Sequence, residues 1–160
     1  MKKIVFFLIC FSLIACSSET ATENQDFQIY TDIKQYILSK EEYDQTDDFR
    51  VNLLYHEMDN KYRYDIIIND PQVSMYHIVA LCYNDEEDDK MCPSLGIFDD
   101  DEFHMKPGYV DKSQGFYKGI QLSGVSSSQN IVRLYISYYT DQEKTQKREF
   151  VLKVDENEIR

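Results

Sequence analysis

Residues 49–70 read FRVNLLYHEMDNKYRYDIIIND, and this stretch decides the fold class. In each half of it, hydrophobic side chains occupy every second position and mostly polar side chains stand between them. The hydrophobic positions are Phe49, Val51, Leu53 and Tyr55, followed by Tyr62, Tyr64, Ile66 and Ile68. Alternation with a period of two is typical of a strand with one buried face. Asn69-Asp70-Pro71 then ends the second run, so the stretch predicts two β-strands.

Further runs of the same kind follow along the chain. Residues 75–83 are apolar on both faces, which is expected of a central strand. Alternation returns in residues 116–122, 132–138 and 150–154, and a polar stretch of hairpin-loop length, residues 140–147, separates the last two runs. Six such runs divided by turn residues predict a mainly β domain, an antiparallel β-sandwich that is immunoglobulin-like or a small barrel.

A weak helical pattern precedes the strands. Ile29, Ile33, Tyr36 and Ile37 share one face of a helix within residues 26–43, with Asp26 as a candidate cap. Residues 17–25 are small and polar without apolar periodicity, which is typical of a flexible tether. We therefore expect a single β-rich domain over residues 26–160 with a short N-terminal helix.

The composition excludes one class of partner. The chain has 17 Lys and Arg against 29 Asp and Glu, a formal net charge of −12, which repels phosphate backbones. A general nucleic-acid-binding role is therefore not expected. Hydrophobic residues at 42% and aromatic residues at 14% are too abundant for a disordered acidic chain, so a packed domain is predicted.

The N-terminus has the three parts of an export signal in order. Lys2 and Lys3 form a positive segment, and residues 4–15 are an apolar run that is too short for a spanning helix. The run ends in Leu13-Ile14-Ala15-Cys16, which resembles the lipobox of bacterial lipoproteins. The resemblance is confined to the N-terminal segment, residues 1–18. An ordinary signal peptide cut by another peptidase, or an uncleaved anchor, is the alternative.

The lipobox resemblance implies an anchor and a location. Residues 1–15 would be the lipoprotein signal peptide, and residues 16–25 the lipidated cysteine and its tether. Cys16 would receive a diacylglycerol, with a further acyl chain such as palmitate on its amino group, and two or three chains hold a protein stably on a bilayer. Since Ser17 is not a retention aspartate, the resemblance implies the outer membrane in a two-membrane bacterium. In a one-membrane bacterium it implies the outer face of the cell membrane.

Two of the four cysteines remain for the domain. Cys10 would leave with the signal peptide, while Cys82 ends the predicted central strand and Cys92 follows a polar loop. A pair of cysteines in an oxidising compartment favours a disulfide. Closing a loop of about 11 residues would stabilise the fold by roughly 2.7 kcal/mol. We expect a structural disulfide between Cys82 and Cys92. Two thiols, or a redox pair without a Cys-x-x-Cys motif, are the alternatives.

Two acidic runs, residues 85–89 and 99–102, consist entirely of Asp and Glu and are near each other in the sequence. If both runs lay at one end of the sandwich, their oxygens would suit Ca²⁺, which takes six to eight hard ligands. The candidate calcium ligands are Asp85, Glu87, Asp89, Asp99 and Asp101. The spacing is not that of an EF-hand, because Lys90 stands where glycine is required. The other interpretation, which we prefer, is a solvated acidic edge, so no cofactor is predicted and Ca²⁺ stays the alternative.

Known catalytic motifs are missing from the sequence. Residues 56–60, HEMDN, begin like a zinc-protease helix but end in Asn60, and the segment has the pattern of a strand. Neither a Gly-x-Ser-x-Gly elbow nor a phosphate-binding glycine loop is present. His77 alternates in phase with the apolar residues of the central strand, which favours a packed strand histidine over a ligand. His104 lies beside the second acidic run and is a candidate metal ligand.

These patterns predict a non-enzymatic, lipid-anchored extracytoplasmic domain that binds a protein or another component of the cell envelope. Tyrosines are candidate contact residues because they provide a large contact area at low entropy cost. Tyr138 and Tyr139 are adjacent, so one of them faces away from the core, and Tyr117 points opposite Phe116. Two alternatives stay open: a cation-dependent or small-ligand-binding domain that uses the acidic runs, and a small envelope hydrolase.

Overall fold

The computed structural model describes residues 18–86 and 91–155, with side chains from residue 24 onward. One α-helix is followed by seven β-strands, with a short 3₁₀ turn at Lys112–Gln114. The elements are α1 (Ser18–Ser39), β1 (Arg50–Met58), β2 (Lys61–Asn69), β3 (Tyr76–Tyr83), β4 (Ser94–Leu95), β5 (Gly119–Ser126), β6 (Val132–Tyr139) and β7 (Lys147–Val154).

The strands form two antiparallel sheets. One has three strands in the order β1-β2-β5 and the other has four in the order β4-β3-β6-β7. The prediction of an antiparallel β-sandwich is therefore confirmed. The runs around residues 49–55, 62–68, 75–83, 132–138 and 150–154 became β1, β2, β3, β6 and β7. The remaining run is displaced, since β5 begins at Gly119 while Phe116 forms isolated bridges with His104 and Asp111.

Two hydrophobic clusters hold three layers together. The larger cluster fills the space between the sheets, and Ile66, Ile78 and Leu134 are among its fully buried side chains. The second cluster lies between α1 and the outer face of the four-stranded sheet, where Ile37 of the helix packs with Tyr135 of β6. The order of the layers is therefore helix, four-stranded sheet and three-stranded sheet. The outer face of the three-stranded sheet remains in solvent.

The helix is longer than predicted. It begins at Ser18 and includes most of the segment that we expected to be a flexible tether, residues 16–25, and it ends at Ser39. Residues 18–25 include Ala, Glu and Gln, which favour helices, and contain neither Gly nor Pro. Within the described residues, no helix combines the length and the hydropathy that crossing a membrane requires.

Gly124 marks a close approach between β5 and the core. A Cβ added at this position would lie 2.5 Å from the ring of Tyr64, which is fully buried between the sheets. We expect Gly124→Ala to lower the free energy of unfolding by about 1–3 kcal/mol, because the ring has to leave its packed position. Gln121→Ala, on the exposed face of the same strand, should change it by less than about 0.5 kcal/mol. Urea unfolding of both variants measures the difference, and equal effects would contradict this packing.

Candidate functional site

A cluster of His77, Glu102 and His104 lies where β3 begins. One ligand atom from each side chain falls within 4.8 Å of the others. His77 stands at an irregularity in the pairing of β3 with β6 and has a positive φ of 51°. Its Nδ1 lies 2.8 Å from a Glu102 oxygen, and His104 Nε2 lies 3.6 Å from the other one. The structure thus brings His104 together with the central-strand histidine, although the two are distant in sequence.

The protonation of His104 follows from its hydrogen bond. Its Nδ1 accepts the backbone N–H of His77 at 2.9 Å, so the neutral ring has its proton on Nε2, which faces Glu102. A metal binds an imidazole nitrogen without a proton, and ligation through Nε2 would force the proton onto Nδ1, against the His77 N–H. The hydrogen bond from the His77 N–H to His104 therefore ties the loop around residue 104 to β3 and disfavours metal ligation through His104 Nε2.

The pKa of His104 lies below its ordinary value of 6.5. Burial disfavours the imidazolium, and repulsion from His77 and Lys144 adds to this, while Glu102 acts in the opposite direction. The unfolded chain then binds the proton more tightly than the folded protein does. Stability should therefore fall as the pH decreases below about 6.5 and stay unaffected by this group at higher pH.

A His104→Asn variant tests this expectation, because the Asn Oδ1 can accept the same backbone N–H and does not titrate. We expect the loss of stability between pH 7 and pH 5 to be smaller in the variant than in the unchanged protein. Chemical denaturation at several pH values measures both slopes. Identical pH profiles would show that His104 does not contribute to the acid sensitivity.

A second polar cluster lies on the exposed face of the three-stranded sheet. Asp65 is buried there, accepts the Ser123 hydroxyl at 2.6 Å and Arg63 Nε at 3.0 Å, and lies 3.2 Å from His56 Nε2. Burial alone would raise the pKa of Asp65, but the hydrogen bonds from Ser123 and Arg63 hold it below its ordinary value. Because Ser123 donates to the carboxylate, the order of contacts is Ser–Asp–His. A nucleophilic serine needs the histidine as its acceptor, so this is not a catalytic triad.

The expected disulfide between Cys82 and Cys92 is absent from the structure. Cys82 packs in the cluster between the sheets, whereas Cys92 packs in the cluster beneath α1, where its N–H donates to the Tyr30 hydroxyl at 2.8 Å. The two side chains thus lie on opposite faces of the four-stranded sheet. The short loop between them suggested a bridge, but the direction in which alternate residues of β3 point decides against one.

Thiol titration of the unfolded chain without reductant tests this arrangement. We expect Cys82→Ala and Cys92→Ala each to lower the thiol count by one, because each replaces a thiol. A disulfide would change the count in the opposite direction, since removal of one partner releases the other as a thiol.

The described residues of the two acidic runs lie at different ends of β3. Asp85 lies two residues beyond the end of β3, whereas Glu102 contacts His77 near its beginning. A strand of eight residues is roughly 25 Å long, so Asp85 and Glu86 lie far from the described residues of the second run. The calcium hypothesis required both runs to lie at one end of the sandwich.

Two of the five candidate calcium ligands have other partners. Asp85 forms an ion pair with Arg133 at 2.9 Å, and Asp99 accepts the backbone N–H of Gly96 at 2.6 Å. Asp101 is exposed. Glu87 and Asp89 lie outside the described residues, as does Cys16 of the lipobox. These contacts are consistent with the preferred interpretation of a solvated acidic edge.

The tyrosines proposed as contact residues are not the exposed ones. Tyr138 is fully buried between the sheets, where its hydroxyl donates to Asp48, and burial together with that carboxylate raises its pKa. Tyr139 and Tyr117 are half-buried, the latter packing against Phe103. Adjacent strand residues do point to opposite faces, and on its face Tyr139 packs against the ring of His77. The exposed tyrosine of the loops is Tyr109, at 40%.

Two adjoining hollows form a cleft beside Arg50, the first residue of β1. The first, of about 930 Å³, lies between residues 43–51 and the end of β7. The second, of about 740 Å³, lies between the ends of β1 and β2, the loop of residues 106–110, and Lys118. Arg50, Asp70 and Gln72 line both hollows and form the wall between them.

The two hollows differ in charge, and we name them accordingly. The acidic hollow has four carboxylates and two cations in its lining: Asp44, Asp47, Asp70 and Asp155 with Arg50 and Lys153. The basic hollow has three cations and one carboxylate: Arg50, Lys106 and Lys118 with Asp70. A dipolar or charged ligand can therefore be oriented along the cleft.

The cleft has no signature in the sequence. Its basic residues are widely separated in the chain, from Arg50 to Lys118, and only the folding of the sheet ends and loops brings them together. The sequence indicates only one local part of it, because Lys106-Pro107-Gly108-Tyr109 is the pattern of a tight turn. No protein-family model, curated protein or solved structure matches the chain.

Proposed function

We propose that this chain is a lipid-anchored lipoprotein on the extracytoplasmic face of a bacterial envelope, where its β-sandwich binds an envelope component in the cleft. The observation that carries the proposal is the N-terminal order of two lysines, a short apolar run and Leu13-Ile14-Ala15-Cys16. With lipid on Cys16, the bilayer is its first partner. A protein or a polymer of the cell envelope is the second.

The position of the cleft supports this proposal. Helix α1 begins two residues after Cys16, and residues 43–47, which follow its other end, line the acidic hollow. A helix of 22 residues is about 30 Å long, so the cleft opens near the end of α1 that is distant from the anchor. A ligand in the surrounding medium can then reach the cleft without passing between the domain and the bilayer.

Labelling and fractionation test the anchor. We expect a full-length chain expressed in bacteria to incorporate a fatty-acid analogue and to fractionate with membranes. Cys16→Ala should lose both properties, because it removes the thiol that receives the diacylglycerol. Membrane fractionation of the variant at the level of the unchanged chain would contradict lipidation at Cys16.

Site-specific photo-crosslinking on intact cells tests the cleft. A photoreactive residue at Tyr109, in the basic hollow, should form one dominant adduct, whereas one at Leu54 should not. The two positions are matched in exposure, 40% and 44%, and Leu54 lies on the open face of the three-stranded sheet, outside the cleft. Equal adducts at both positions, or none at Tyr109, would contradict binding in the cleft.

A further inference from the structure

We infer that the basic hollow binds a saccharide that bears a phosphate or a carboxylate. This inference rests on the proposed function, since it names the class of ligand that the cleft takes. Three features of the hollow support it: a local reversal of the charge of the chain, a wall that is formed before binding, and a lining that combines cations with amides and apolar rings.

The charge of the hollow is opposite to that of the chain as a whole. The formal net charge of the chain is −12, yet Lys106, Lys118 and Arg50 line this hollow with Asp70 as its one acid. The strand register explains their convergence. Arg50 pairs with Asn69 and Asn69 pairs with Gly119, so Lys118 and Arg50 flank the end of β2 from either side. An anion is attracted to this place and repelled by most of the remaining surface.

The cations are available to a ligand. Neither Lys106 nor Lys118 forms an ion pair among the residues that the structure describes. Arg50 contacts Asp70 at 3.0 Å, but both side chains are more than half exposed, and an exposed pair of this kind contributes little free energy. A phosphate or carboxylate can therefore share or replace the carboxylate of Asp70 at Arg50.

A rigid turn forms one wall. Residues 106–109 close with the Tyr109 N–H donating to the Lys106 carbonyl at 3.2 Å. Pro107 restricts its own φ, and Gly108 has a φ of 67° that glycine adopts without strain, which is the arrangement of a type II turn. The turn holds Lys106 Nζ 5.8 Å from the ring centre of Tyr109. Little conformational entropy is lost on binding because this wall is formed in advance.

The rest of the lining suits a sugar ring rather than a bare anion. Tyr109 and Val110 are 40% and 52% exposed, and with the two prolines they offer apolar surface to the C–H faces of a ring. Asn52 and Asn69 provide amide donors and acceptors for hydroxyl groups. A site for a small ligand typically has a small number of polar groups placed among apolar ones.

Titration calorimetry on the full chain, purified in detergent, tests the inference with four probes: glucose 1-phosphate, glucuronate, glucose and inorganic phosphate. We expect both anionic sugars to bind. Glucose and inorganic phosphate should each bind with an affinity lower by about tenfold or more. Affinity for the anionic sugars should decrease as salt is added, because exposed charges are screened.

Paired variants locate the site. Lys106→Ala combined with Lys118→Ala should lower the affinity for glucose 1-phosphate by about tenfold or more, since two cations are removed from the hollow. Lys112→Ala is the matched control: it removes one exposed cation of the neighbouring 3₁₀ turn that does not line the hollow. If Lys112→Ala weakened the binding of glucose 1-phosphate as much as Lys118→Ala alone, the effect would come from the overall charge of the chain. That outcome would overturn the assignment.

The remaining outcomes separate this inference from the proposed function. Equal affinity for inorganic phosphate and glucose 1-phosphate would overturn the saccharide and leave only an anion. No saturation by any probe, together with an adduct at Tyr109 in cells, would overturn the ligand class while the cleft stands. Binding of the anionic sugars without that adduct would support the ligand class and remove the support for the cellular role.

Discussion

The pairing of β3 with β6 is the constraint on which the rest of the structure depends. Both strands are central in the four-stranded sheet, and many of their side chains have no exposed surface: Ala80, Leu81, Cys82, Val132, Leu134, Ile136 and Tyr138. A sheet that is apolar on both faces has to be covered on both. The three-stranded sheet covers one face and α1 covers the other. The three-layer order therefore follows from the composition of two strands.

This layering also positions the end of α1. The second half of the helix packs on β3 and β6 through Tyr30, Ile33 and Ile37. The acidic hollow opens beside the last residue of α1, because residues 43–47 follow the helix and line it.

The loop between β4 and β5 supplies much of what is specific to this chain. It is held to β3 by the Ile78 N–H, which donates to the Phe103 carbonyl, and by the His77 N–H, which donates to His104. The same loop continues into the turn that forms the wall of the basic hollow. The histidine whose protonation we expect to destabilise the fold and the candidate binding surface therefore lie on one segment, since His104 is two residues from Lys106.

The sequence sets the strand pattern and the class of fold, because alternation is a local property of consecutive residues. It did not determine the state of the cysteines, the distance between the acidic runs or the place where cations gather. Cys82 and Cys92 are near in sequence and lie on opposite faces of a sheet, whereas Arg50 and Lys118 are distant in sequence and flank one strand end. Only the tertiary structure decided these, since face and register depend on which strands pair.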